Sequence, residues 1–352
     1  MTELDIAQKI ESQKERLHVS IGAVCNNNCV FCMEEDRDAR YENNSAMTRE
    51  RVRWMLESHR GAEEVCFTSG EPTTRPELPE FVAWAKALGY GRISTMTNGR
   101  RLSHLPYAAA LAKAGMNRFY VSIHGHDKKL HEGLTRTPES FEQTVAGLDS
   151  VAKLKRFGVE LHTSTVVTKR NLPFMADIYG FLRSHGVDQV VFNVMQANGR
   201  AETNFEHIFP TYTETAATFR AFVAGSSEPR PMAFLVDIPL CTTEGIPDFN
   251  RGYVEKYVHY DTESHARAPG THVAPASDDG ESRRASGKGK GLVMVTRTDL
   301  DEARRLKQPA CASCRFDRVC EGVWSVYVDH FGWDEMRPVR AGSPGDEAAA
   351  PG

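Results

Sequence analysis

Residues 18–32 read HVSIGAVCNNNCVFC. A short apolar and β-branched run, His18–Val24, leads directly into three cysteines, Cys25, Cys29 and Cys32. The run reads as a strand. The three-asparagine spacer is polar and turn-compatible, so the loop can wrap around a metal. Three thiolates can bind three corners of a cubane iron–sulfur cluster, which takes four ligands, and leave one iron open to a small molecule. A zinc knuckle on the same thiols is the alternative, although zinc prefers four protein ligands.

The same alternation continues downstream. Glu64–Thr68, Arg92–Thr97, Arg118–His124, Val159–Val167 and Gln189–Met195 read as further strands. Between them, Leu78, Phe81, Val82 and Ala85 share one helical face, as do Phe141, Val145, Leu148 and Ala152, and Phe174, Ile178, Phe181 and Leu182. Gly61, Gly89, Gly115, Gly158 and Gly186 each close a helical segment ahead of a strand. Six strand–helix units predict a parallel sheet. They are too few for an eight-unit barrel and fit an α/β partial (β/α)6 TIM-like barrel over 18–200, with chemistry beyond the C-terminal ends of its strands. Residues 1–17 form an N-terminal segment. A smaller α+β C-terminal domain is expected over 201–340, with a helix at 211–224 and a strand at 291–296. Within it, 262–290 is rich in Gly, Ser, Pro and charge and reads as a flexible insertion or lid. Residues 341–352 read as a disordered tail.

Net charge is −4, with 43 basic and 47 acidic residues among 352, so no basic excess points to nucleic acid. No apolar run suits a membrane span, and the charged N-terminus lacks the apolar core of a secretory signal. The expected compartment is the cytoplasm. Eight cysteines in a reducing compartment favour metal ligation over disulfides. Cys311, Cys314 and Cys320 form a second set, and Cys241 is the candidate fourth ligand for a complete second cluster, with zinc again the alternative. Cys66, inside the second strand, reads as a small buried hydrophobe.

Cys-x3-Cys-x2-Cys after a first strand, with Phe31 before the last cysteine, resembles the signature of the radical SAM superfamily. Thr68-Ser69-Gly70-Glu71-Pro72 resembles that family's Gly-Gly-Glu motif, with Ser69 in place of the first glycine, and Thr97-Asn98-Gly99 resembles its TNG turn. The resemblance implies a [4Fe–4S] cluster on Cys25, Cys29 and Cys32 whose open iron takes S-adenosylmethionine. The cofactor is then split to methionine and a 5′-deoxyadenosyl radical, which abstracts hydrogen from substrate. It further implies cofactor contacts at Phe31, Ser69, Gly70, Glu71 (toward the ammonium), Asn98, Ser122 (toward the ribose), Arg136 (toward the methionine carboxylate) and Met195. An external electron donor of flavodoxin or ferredoxin type is implied as well. His124, His126 and His131 are expected to be structural.

The C-terminal stretch CASCRFDRVC, followed by EGVWSVYVDHFGWDE, resembles the auxiliary-cluster extensions termed SPASM and twitch. A full SPASM extension carries further cysteines that this chain lacks, so the twitch form and one auxiliary [4Fe–4S] cluster are implied, for electron transfer or substrate positioning. Seventeen residues precede His18, fewer than a peptide-binding domain needs. The expectation is therefore an enzyme acting on a small-molecule biosynthetic substrate (a sugar, nucleoside or amino-acid derivative). A peptide maturase of the same superfamily is the second reading, and a non-catalytic zinc-binding module the alternative from another class. Neither a nucleic-acid nor a membrane partner is expected, and nothing in the sequence sets an oligomeric state.

Overall fold

The computed structural model describes residues 16–22, 24–33, 48–62, 64–195, 197, 199–229, 231–250, 271–274, 293–296, 304–317, 320 and 322–340. Seven strands, β1 (Arg16–Ser20), β2 (Glu64–Thr68), β3 (Arg92–Thr97), β4 (Arg118–Ser122), β5 (Glu160–Val167), β6 (Gln189–Val194) and β7 (Ala233–Val236), lie side by side, parallel and in chain order. A doubly wound sheet reverses its strand order at a switch point. This sheet never reverses, so right-handed crossovers stack on one face and the sheet forms a barrel wall. The wall is partial: beyond β1 lies β8 (Thr271–Ala274), parallel to it, with β9 (Val293–Thr296) antiparallel to β8.

The crossovers carry α1 (Arg49–Ser58), α2 (Leu78–Ala87), α3 (Leu105–Ala114), α4 (Lys128–Thr135), α5 (Ser140–Leu154), α6 (Met175–Ser184), α7 (Arg200–Thr203), α8 (Phe205–Ile208) and α9 (Tyr212–Ala224). Side chains alternate across a strand, and here the two faces differ sharply. One face is apolar and meets the helices: Phe67 packs on Phe81 of α2, and Phe192 on Phe219 and Phe222 of α9. The other face is polar. At its floor, where the strands begin, Arg118 donates to Glu160 Oε2 (2.7 Å) and to the Tyr120 hydroxyl (3.1 Å), and lies 3.5 Å from Glu64. His162, and then Arg118, hold the Glu160 carboxyl down at about 2. Cys66 is fully buried.

The expected six-strand frame is present, with a seventh strand added. β7 is only four residues long, between Pro231 and Pro239, too short for periodicity to reveal it. The helix expected over 211–224 is α9, opened by a capping box between Thr211 and Glu214. Of the insertion expected over 262–290, only 271–274 are described, and they form β8. Of the N-terminal segment only Arg16 and Leu17 are described, and the tail at 341–352 lies outside the described residues.

The C-terminal part adds a short antiparallel pair, β10 (Arg305–Leu306) with β11 (Val323–Trp324), and α10 (Ser325–Phe331). Val323, Trp324, Tyr327 and Met336 belong to the same continuous core as the barrel. Tyr327 stacks on Tyr212 at 4.0 Å, which fixes α10 against α9. Among the described residues, no helix is long and apolar enough to cross a membrane.

Helix α5 bears directly on the turn after β3. Gly99 has φ +75, and a Cβ at Gly147 would run into its carbonyl oxygen. Gly147→Ala is expected to lower the unfolding free energy by about 1–3 kcal/mol through this overpacking, read by chemical denaturation.

Candidate active site

All seven parallel strands end on the same rim, and the loops after β1 to β4 meet there. The loop after β1 carries Cys25, Cys29 and Cys32, each half-buried. It has no regular structure, so its backbone groups need outside partners. The amides of Asn28 and Val30 donate to Thr135 O (3.0 Å) and Leu134 O (2.9 Å) at the end of α4. Val24 O accepts from the amide of Glu71 (2.8 Å), and Cys32 O from that of Ala201 (3.2 Å).

Each asparagine of the spacer is engaged. Asn26 Oδ1 accepts from Asn98 Nδ2 (2.6 Å), and its carbonyl accepts from Arg100. Asn27 Oδ1 accepts from Arg100 (3.1 Å), and Asn28 Oδ1 from Arg200 (2.6 Å). The spacer is therefore a set of latches as well as a turn.

The loop after β2 centres on Glu71, which is 2% exposed. Its Oε1 accepts from the Thr73 amide (3.0 Å), the Thr73 hydroxyl (2.5 Å) and the Thr97 hydroxyl (2.6 Å); Oε2 accepts from the Asn98 amide (2.6 Å). Burial pushes this carboxyl upward, and the donated hydrogen bonds oppose that shift. A carboxylate has about four acceptor sites. Those sites divide two to each oxygen, and Oε2 carries only one of the four bonds, so it is the oxygen with capacity left. Ser69 (φ 72) and Gly70 (φ 56) are consecutive left-handed residues. Ser69 therefore occupies a conformation that favours glycine, beyond simply being small.

Glu71, Asn98 and the cysteine loop thus form one connected network through Asn26. The other expected contacts are placed differently. Phe31 is 7% exposed and meets the His124 ring edge-on at 4.6 Å. Ser122 is half-buried at the end of β4. Arg136 is exposed and left-handed (φ 51) at the C-cap of α4, where its amide donates to Glu132 O. Met195 is buried in the core just past β6.

His124 and His131 form a buried stack, while His126 packs against Phe174 at 5.3 Å. His124 and His131 lie ring on ring at 5.7 Å. His124 Nδ1 accepts from the Val166 amide (3.2 Å), and His131 Nδ1 from the His124 amide (3.1 Å). Burial, and then the neighbouring imidazole, hold His124 well below its ordinary value; burial, and then Arg100, hold His131 down to about 4. Both rings are neutral at pH 7. Sequence reasoning assigned no role to Arg100, Arg200 or Thr73, and Thr97 entered only as part of the TNG turn. Arg100 and Thr97 flank the Asn-Gly turn, but nothing local marked Arg200.

Burial raises the Cys29 thiol first, with Cys25 and Cys32 adding to the shift and Arg200 opposing it. The three thiols thus lie within electrostatic reach of one another, and metal binding here releases protons. The second set also comes together. Cys241, in a single 3-10 turn after β7, lines one pocket with Cys311, Cys314 and Cys320. Burial, and then those three neighbours, push the Cys241 thiol up to about 12. Among the described residues, no three His, Cys, Asp or Glu side chains converge on one ion position. A donor set of thiols alone suits an iron–sulfur cluster.

Residues 19–194 match the model of the Radical SAM superfamily. A probable GTP 3′,8-cyclase of Sulfurisphaera tokodaii is 29% identical over 55% of this chain and 60% of its own length. An AdoMet-dependent heme synthase of Oleidesulfovibrio alaskensis is 29% identical over 50% of this chain and 44% of its own. The chain thus spans about half the length of these relatives. Streptococcus suis SuiB bound to S-adenosylmethionine is similar in fold, at TM-score 0.61 and 15% identity over 94% of this chain and 77% of that one. Native anSMEcpe with bound AdoMet and Kp18Cys peptide gives TM-score 0.55 at 14% identity, over 94% and 92%.

Two stability measurements follow. Glu71→Gln turns an acceptor into a donor inside a shell of donors and is expected to cost about 2 kcal/mol in chemical denaturation. Below the ordinary imidazole value of 6.5 and down to about 4, the unfolded chain takes up protons that His131 refuses when folded. Stability should therefore fall on acidification through that window, and His131→Asn, which keeps an acceptor without titrating, should flatten the slope of melting temperature against pH.

Proposed function

Because the chain belongs to the Radical SAM superfamily, we propose that it is an enzyme that reductively cleaves S-adenosylmethionine at Cys25, Cys29 and Cys32 and uses the resulting radical on a small molecule. The observation that carries this reading is the three-thiol loop, latched at the strand-end rim to the Glu71–Asn98 network. When bound, the cluster and cofactor supply an electron and a 5′-deoxyadenosyl radical that removes hydrogen from substrate.

The chain's own residues bind, orient and exclude water. The latched asparagines keep the three thiols presented from one rigid loop. Glu71 Oε2 has acceptor capacity left for an ammonium group. Ser69 and Gly70, left-handed in succession, bring the backbone close to the cofactor. Phe31 and the neutral His124 give the loop a dry, apolar flank that shields radical chemistry. Ser122, Arg136 and Met195 are assigned to the ribose, the methionine carboxylate and the adenine. Arg136 needs its side chain to swing inward from the α4 cap.

Cys241, Cys311, Cys314 and Cys320 hold an auxiliary [4Fe–4S] cluster in a twitch-like segment. With four thiolates its irons are all ligated by protein, which favours electron transfer over direct substrate binding. The names of the cyclase and heme synthase relatives favour a small-molecule substrate. A precursor peptide, as in Streptococcus suis SuiB bound to SuiA, is the second possibility to be tested. The electron source is an external donor of flavodoxin or ferredoxin type.

Anaerobic reconstitution should give about eight irons and eight sulfides per chain, and dithionite with S-adenosylmethionine should yield 5′-deoxyadenosine by liquid chromatography. Cys29→Ala should reduce that product to background; undiminished product would remove the assignment. Cys311→Ala and Cys314→Ala together should release about half of the iron while sparing cofactor cleavage. Deuterium transfer into 5′-deoxyadenosine from labelled nucleosides, sugars or amino-acid derivatives would identify the substrate class. Transfer from a peptide alone would favour the second reading.

A further inference from the structure

We propose that Arg200 is a positioning residue that locks the Cys29–Cys32 turn and places a fixed positive charge beside it, favouring the reduced state of the cluster. This inference rests on the radical SAM reading and adds to it.

The geometry is specific. Arg200 opens α7, directly after Gly199, whose φ of 55 and ψ of −128 suit glycine and turn the chain back over the rim. Its Nη1 donates to Asn28 Oδ1 (2.6 Å) and to Cys29 O (2.8 Å). Asn204 Nδ2 donates to Val30 O (3.1 Å) and also to Arg200 O (3.0 Å), and the Ala201 amide donates to Cys32 O (3.2 Å). Three carbonyls of one cysteine turn, at Cys29, Val30 and Cys32, are thus held by residues 200–204. The spacer's other side is held by Arg100 through Asn26 and Asn27, so the loop is gripped between two arginines.

Reduction adds one negative charge to a cluster, and its potential depends on local net charge and hydrogen bonding. A guanidinium stays charged at every working pH and grips two acceptors at once. Arg200 is suited to both tasks at Cys29, whereas Arg100 reaches Asn26 and Asn27, on the Cys25 side of the spacer.

The test compares wild type, Arg200→Lys and Arg200→Gln, each reconstituted anaerobically as the full chain. The cluster of the trio is recognised as the electron paramagnetic resonance signal that changes when S-adenosylmethionine is added. Its midpoint potential and its rate of iron loss to a chelator are then measured. Arg200→Gln should titrate at a more negative potential than wild type. Arg200→Lys should keep the wild-type potential but lose iron roughly 10-fold faster. If Arg200→Gln retains no iron while its apo form melts at the wild-type temperature, the locking role stands and the charge is read in Arg200→His, whose potential should become more negative as pH rises and the imidazolium loses its proton; a pH-independent potential there would overturn the charge role. A wild-type potential in Arg200→Gln, or unchanged iron loss in both variants, would overturn the proposal. If wild type gives no cofactor-sensitive signal at all, it is the radical SAM reading that fails, a separate result.

Discussion

A loop without regular secondary structure must hold three thiols in a fixed arrangement, and much of the surrounding structure answers that constraint. A helix would satisfy the backbone internally but would spread positions 25, 29 and 32 along its axis, about 10 Å from first to last. The loop instead gets its hydrogen bonds from α4, from the turns after β2 and β3, and from the segment after β6. Because these partners lie on four different crossovers, the site is stable only when the barrel wall is assembled. Binding geometry and folding are therefore coupled, and a parallel, unreversed sheet is what brings the four crossovers to one rim.

Glu71 shows how the wall transmits that order. A carboxylate taken out of water is costly unless its oxygens are filled. Here four donors from the turns after β2 and β3 fill most of its capacity, so the two turns cannot move independently. Thr144 of α5 adds a bond to Asn98 O (2.8 Å), and the Gly147 contact leaves no room between α5 and the same turn. A motif read as a cofactor contact is thus also a structural joint. The left-handed Ser69 next to it is tolerated because the network fixes its neighbours.

The two faces of the wall do different work. The helix-facing side supplies ordinary apolar burial. The opposite face is polar, closed at the strand starts by the Glu64–Arg118–Glu160 group and framed at the other end by the cysteine loop. The C-terminal segment shares its core with α8 and α9 through Tyr212, Tyr327 and Phe205, so the second cysteine set is tied to the barrel by aromatic packing.

By itself the sequence determined the six strand–helix units, the helix over 211–224 and the grouping of the cysteines, because each depends on periodicity or spacing within some twenty residues. The tertiary structure decided what depends on register and packing between distant segments. β7 is recognisable only from its pairing with β6. Arg200 meets Cys29 across 171 positions, and Cys241 enters the pocket of Cys311, Cys314 and Cys320 because β7 ends beside it. The asparagine spacer was legible as a turn, but its latches were not, since their partners come from the segments after β3 and after β6. Local pattern sets which elements form; only the assembled sheet sets which loop ends meet.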